Sequence, residues 1–180
     1  MRAAACSVAI LALALGLAAA AQAQPMLPQP GAEHEILKRD VGVWDATVEM
    51  NAPGAGPMTM EAVETNTLMG GRWLISNYES DMMGQPFEGR GITGWDPTKK
   101  AYVGVWADTM SAEITHAEST YDRETDTMTG WLEMPDPMTG GKSKAKTEAT
   151  WPDESTRIVK FYPPGGGDAP MMTFTYKKRE

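Results

Sequence analysis

The chain has 180 residues, a single cysteine and a formal net charge of −8. That length suits one domain with a sizeable core. The acidic balance argues against nucleic acid or an anionic membrane surface as partner, because both call for a basic patch.

Arg2 is the only charge before Glu33, and an apolar run from Val8 to Ala21 is followed by Ala21-Gln22-Ala23. A basic start, an apolar centre and small residues at the cleavage positions predict a secretory signal peptide over residues 1–23. The run is too short for a comfortable membrane span, and Cys6 precedes it, which does not suit a lipoprotein. The mature chain is expected to begin near Gln24, to be periplasmic or secreted, and to keep no stable membrane span. Cleavage would leave about 157 residues, no cysteine, and a net charge of −9 once Arg2 is lost from −8. Such a domain is held by its core and not by disulfides.

Residues 24–32 contain Pro25, Pro28 and Pro30 and read as a flexible tether. Glu33 to Asp40 can make two helical turns, with Ile36 and Leu37 as apolar contacts. A helix that short must rest on something, and the end of a barrel is the natural place.

From Gly42 onward the apolar period becomes two. Trp44, Ala46, Val48 and Met50 share one face of the first strand, and Asp45, Thr47 and Glu49 share the other. Further strands are predicted from Met58 to Met69, Arg72 to Ser80, Phe87 to Trp95, Ala101 to Ala107, Ala112 to Tyr121, Thr127 to Glu133, Lys142 to Trp151, Thr156 to Tyr162 and Met171 to Lys178. Gly70-Gly71 reads as a two-residue hairpin turn, Met82 to Pro86 as a loop, and Asp96-Pro97-Thr98-Lys99 as a turn with proline preset at its second position. Lys142, Lys144 and Lys146 fall at period two and read as the solvent face of one strand.

About ten strands with short connections predict sequential antiparallel neighbours. Closing such a meander removes its two raw edges. Residues 33–180 are therefore expected to form a single all-β domain, an antiparallel up-and-down barrel with a short N-terminal helix at one end. A two-sheet sandwich is the alternative.

No catalytic set is evident. The mature chain has no cysteine, no nucleophile elbow and no phosphate-binding loop. Gly89-Arg90-Gly91 is followed by no helix, so it reads as room for a neighbouring aromatic side chain or as a place where the strand bends. Asp108-Thr109-Met110-Ser111 reads as a capped turn, with a place at the barrel mouth as the other reading. Fourteen methionines invite a copper reading, but the clusters carry no histidine or cysteine, and methionine also fills irregular apolar cavities.

Gly42-Val43-Trp44 resembles the first-strand G-x-W of the calycins, the superfamily of lipocalins and fatty-acid-binding proteins. The resemblance implies that the tryptophan packs at the closed end under a basic residue from the last strand. Met172, Phe174 and Tyr176 share a face that Lys178 continues. Gly42, Trp44 and Lys178 are therefore expected to form a structural latch, by cation–π contact or by hydrogen bonds to backbone carbonyls. Some calycin relatives bind haem through a barrel histidine, and His116 is the candidate in that case.

A closer resemblance covers nearly all of the expected mature chain. It rests on Glu33-His34, Val41-Gly42-x-Trp44, Gly70-Gly71-Arg72-Trp73-Leu74, Met83-Gly84-x-Pro86-Phe87-x-Gly89-x-Gly91, Gly94-Trp95-Asp96-Pro97-x-Lys99-Lys100, Trp106-x-Asp108-x-Met110-Ser111 and Pro135-Asp136-Pro137-Met138-Thr139-Gly140. Together these resemble a secreted bacterial domain-of-unknown-function family, number fifteen seventy-nine. That family implies a calycin-like barrel and no settled activity.

The expected function is binding of a small apolar or amphipathic ligand, with no metal and no cofactor required. Trp73, Ile75, Trp106 and Phe174 are expected to face inward, with Asn77 or His116 as polar anchors. The alternatives are a lyase- or isomerase-type enzyme using a cavity carboxylate or His116, and an interaction domain of the cell envelope contacting partners through Met82-Met83 and the loop from Pro135 to Gly141.

Overall fold

The computed structural model describes residues 29–52, 56–135 and 140–180. The expected signal peptide and residues 24–28 of the expected tether lie outside these. One 3-10 turn, Ala32–His34, leads into α1, Glu35–Arg39. Ten strands follow: β1 Gly42–Ala52, β2 Gly56–Met69, β3 Trp73–Met82, β4 Gln85–Asp96, β5 Ala101–Asp108, β6 Thr115–Asp122, β7 Thr127–Pro135, β8 Lys142–Asp153, β9 Thr156–Phe161 and β10 Met172–Lys178. Each pairs antiparallel with its sequence neighbours, and β10 returns to β1, closing the barrel. Among the described residues no helix is long and apolar enough to cross a membrane.

Alternation builds the wall. Trp44, Ala46 and Val48 point inward at 1% exposure or less, while Asp45 and Glu49 face solvent. The connections β2–β3, β4–β5, β6–β7 and β8–β9 gather at the end covered by α1, and the other five connections ring the opposite end.

Five residues of helix cannot hold themselves, so the barrel holds α1. Ile36 and Leu37 pack with Leu74, Tyr102 and Trp151. Arg39 reaches Asp126 in the β6–β7 turn at 2.6 and 3.1 Å and lies over the Trp151 ring. Tyr102 Oη donates to the Glu33 carbonyl at 2.7 Å. The carbonyls that end the helix would otherwise lack partners. Trp44 Nε1 donates to Asp40 O at 2.8 Å, and Lys178 Nζ donates to Arg39 O at 3.2 Å.

Three boundaries differ from the sequence expectation. The β2–β3 connection is a three-residue loop, Gly70-Gly71-Arg72, because Met69 pairs with Trp73. Both glycines adopt positive φ, and Arg72 is the third member. The β3–β4 connection is shorter than the loop expected from Met82 to Pro86. It is a tight turn at Met83-Gly84, both at positive φ. Strand β6 begins at Thr115 and not at Ala112. The Asp108 carboxylate accepts the backbone N–H groups of Met110 and Ser111, and those bonds curl the chain there instead of extending it.

Candidate functional site

The lumen encloses a cavity of about 550 Å³, within the range of small-molecule sites. Its wall is mostly apolar, with seven aromatic and six methionine side chains among the lining residues. Tyr78 stands edge-on to Phe87, Trp106 and Phe174, with ring centroids 5.8 to 6.4 Å apart. Phe174 also lies against Phe161 and stacks on Tyr176. Met50, Met60, Met82, Met134 and Met172 line the half away from α1. Met50 pairs in register with both Met58 and Met172, so one rim of the mouth is soft and adaptable.

Trp106 shapes this space because β4 has no side chains beneath it. A Cβ at Gly89 would sit 2.0 Å from the indole, and one at Gly91 would sit 3.1 Å away. The ring lies flat on the strand, and its Nε1 donates to Asp108 Oδ2 at 3.0 Å. Asp108 thus caps its turn and also lines the cavity.

The closed end carries an ionic cluster. Arg157 sits on the inward stripe of β9 with Val159 and Phe161. Its Nη1 meets Asp40 at 2.8 Å and its Nη2 meets Glu64 at 2.5 Å. Glu64 also accepts from Asn66 Nδ2 at 2.7 Å. Asp40 also accepts from Trp151 Nε1 at 2.8 Å. The guanidinium lies 3.9 Å from the Tyr176 centroid and 5.4 Å from that of Trp44. Burial opposes the charge on Arg157, but Asp40 and Glu64 outweigh it and raise its pKa well above the ordinary value. Burial, with the Glu64 charge adding, pushes Tyr176 well up and Tyr78 to about 12.

Of the residues expected to bind ligand, Trp106 and Phe174 line the lumen. Trp73, Ile75, Asn77 and His116 do not. The three-residue loop before β3 shifts that strand by one position, so Leu74, Ser76 and Tyr78 point in and their neighbours point out. Trp73 lies flat over Gly94 on the outer wall, where a Cβ would stand 2.3 Å from the ring. His116 faces out because its neighbours along β6, Thr115 and Ala117, face in. Trp73 and His116 share a separate outer groove of about 600 Å³ with Ile92, Val105 and Trp131. His34, the other histidine, is buried under the closed end and accepts the Gly31 N–H through Nδ1. A haem held by a lumen histidine therefore does not fit this chain.

At the latch, Lys178 is in register with Trp44, and its Nζ lies 5.1 Å from the indole centroid. Gly42 has φ +127, and a Cβ there would stand 3.0 Å from Lys178 Cε, so glycine is needed on both counts. Arg157, Asp40 and Glu64 were not singled out from sequence. The available signal was an arginine on the apolar stripe of one strand and a glutamate on the inward stripe of another.

A profile for a family described as "Protein of unknown function (DUF1579)" matches residues 29–178. No curated protein matches the chain in sequence. The crystal structure of Rv2717c from M. tuberculosis is similar in fold, with a TM-score of 0.61 at 12% identity, covering 83% of this chain and 99% of that one. The S-type phycobiliprotein lyase CPES from Guillardia theta is similar at a TM-score of 0.54 and 11% identity, covering 84% and 99%.

Proposed function

The chain belongs to this DUF1579 family, and we propose that it is a container for a small, largely apolar molecule held in the lumen. The observation that carries this reading is the cavity of about 550 Å³ bounded by Tyr78, Phe87, Trp106, Phe174 and the methionines of its outer half. Aromatic faces and thioethers hold apolar groups by contact and dispersion, and methionine adapts to irregular shapes. The barrel likeness to a protein described as a phycobiliprotein lyase is in keeping with a lumen site.

We further propose that the protein works in the periplasm or outside the cell, on the strength of the leader-like residues 1–23. Mass measurement of protein purified from the envelope tests this, with a mature start near Gln24 expected and an intact Met1 against it.

An acid–base enzyme is supported less well. Tyr78, Tyr176 and Arg157 are displaced away from neutrality, whereas a general acid or base works best with a pKa near the working pH. Native mass spectrometry of the purified chain, with uptake of Nile red as a second readout, tests the container reading. A retained small molecule or saturable one-to-one dye binding is expected. A protein that carries nothing and takes up no dye would overturn it.

A further inference from the structure

The charges of the lumen bear on what it can hold, and this inference rests on the container reading. Among the described residues, the cavity is lined by three carboxylates, Asp40, Glu64 and Asp108, and by one cation, Arg157. Asp40 and Glu64 occupy both Nη groups of Arg157, at 2.8 and 2.5 Å. The Nε N–H is enclosed and reaches no partner. The guanidinium is further covered by the faces of Tyr176 and Trp44. Lys178 does not line the cavity, and its Nζ is committed to the Arg39 carbonyl and the Trp44 ring. The lumen therefore offers no free cation to an incoming acid group, and Asp108 adds a negative charge toward the mouth. The whole chain carries a formal −8, which also repels anions at a distance.

The wall does offer neutral hydrogen-bonding groups. Ser76, Thr93, Ser119 and Thr147 place hydroxyls on the cavity from four different strands. A hydroxyl both donates and accepts, so it can satisfy an alcohol, ketone or amide. It cannot neutralise a carboxylate removed from water.

We infer that the ligand is an uncharged amphiphile, with an apolar body against the aromatic and methionine wall and a neutral polar group on these hydroxyls, and that the site discriminates against fatty-acid-like carboxylates. This sets the chain apart from a carrier that clamps an acid head with a free arginine.

The test is displacement of Nile red from the chain at pH 8 by 1-dodecanol and by dodecanoate, which match in chain length and differ in charge. The alcohol is expected to compete roughly tenfold or more tightly than the carboxylate. A Thr147→Lys variant, which places an unpaired cation on the lumen wall and removes one of these hydroxyls, is expected to tighten dodecanoate binding and to weaken binding of the alcohol. Equal or tighter binding of dodecanoate by the unaltered chain would overturn the inference while leaving the container reading standing. If neither the dye nor the alcohol binds, the container reading itself fails, and this inference fails with it. The comparison on the unaltered chain decides the matter even if the variant does not fold.

Discussion

Arg157 and Glu64 lie 93 residues apart in sequence, yet the Nη2 of one is 2.5 Å from the Oε1 of the other at the sealed end of the barrel. Both side chains are at most 8% exposed. Removing one member of a buried ion pair leaves the other charge without compensation, at a cost of about 3–5 kcal/mol. Arg157→Met is expected to lose that much in urea unfolding, because it strands Asp40 as well as Glu64. Adding Asp40→Asn and Glu64→Gln is expected to recover part of the loss. A single variant that loses less than about 1 kcal/mol would mean that the cluster does not hold this end together.

The latch makes a graded prediction. Trp44 is fully buried and supplies a hydrogen bond to Asp40 O as well as packing. Trp44→Ala is expected to cost about 3–5 kcal/mol, as large core truncations do. Lys178→Met keeps much of the apolar stem and loses the cation–π contact and the bond to Arg39 O, so about 1 kcal/mol is expected. Dye affinity measured where both variants remain folded is expected to be unchanged. Loss of binding with intact stability would assign the pair to the site and not to the architecture.

Two glycines of one strand separate the lumen from the outer wall. A Cβ at Gly89 collides with Trp106 inside, and one at Gly94 collides with Trp73 outside. Gly89→Ala and Gly94→Ala are each expected to destabilise by roughly 1–3 kcal/mol through overpacking. Only Gly89→Ala is expected to weaken lumen binding, because only it displaces a cavity-lining ring. Calorimetry with Nile red on both variants makes the comparison.

The anchor between Arg39 and Asp126 gives a pH dependence of known sign. The hydrogen bond from Arg39 holds the Asp126 carboxyl below its ordinary 3.8, burial opposes this, and the Tyr121 hydroxyl helps. A carboxyl lowered on folding stabilises the fold fully above its unfolded value, and that contribution fades as pH falls through the lower folded value. Carbon NMR titration of Asp126 is expected to show a midpoint below 3.8 that returns toward 3.8 in Arg39→Gln. An unmoved midpoint would dissociate the ion pair from the titration.

Much of the barrel was legible in the sequence because the alternation of β1 and β10 is clean and the connections are short. Strand β3 was not, because the glycine pair Gly70-Gly71 carries the signal of a two-residue turn while the loop takes Arg72 as a third member. One residue reverses a strand's faces, and this one carried Trp73, Ile75 and Asn77 from lumen to surface. His116 went with them for a different reason: Thr115, and not His116, pairs with the inward Trp106, and nothing local in β6 marks that register. Trp106 and Phe174 could be placed because their own strands alternate without interruption. The ionic cluster depends on pairings between distant strands, which local patterning does not encode.

The lumen and the outer groove are distinguished by where a ligand sits. Proton–carbon NMR of the aromatic and methionine methyl groups, titrated with 1-dodecanol, separates the two cavities directly. Saturable shifts at Tyr78, Phe87, Trp106, Phe174 and Met172, with Trp73 and Trp131 unmoved, are the predicted result. Shifts confined to Trp73 and Trp131 would move the site to the outer groove and contradict the lumen assignment.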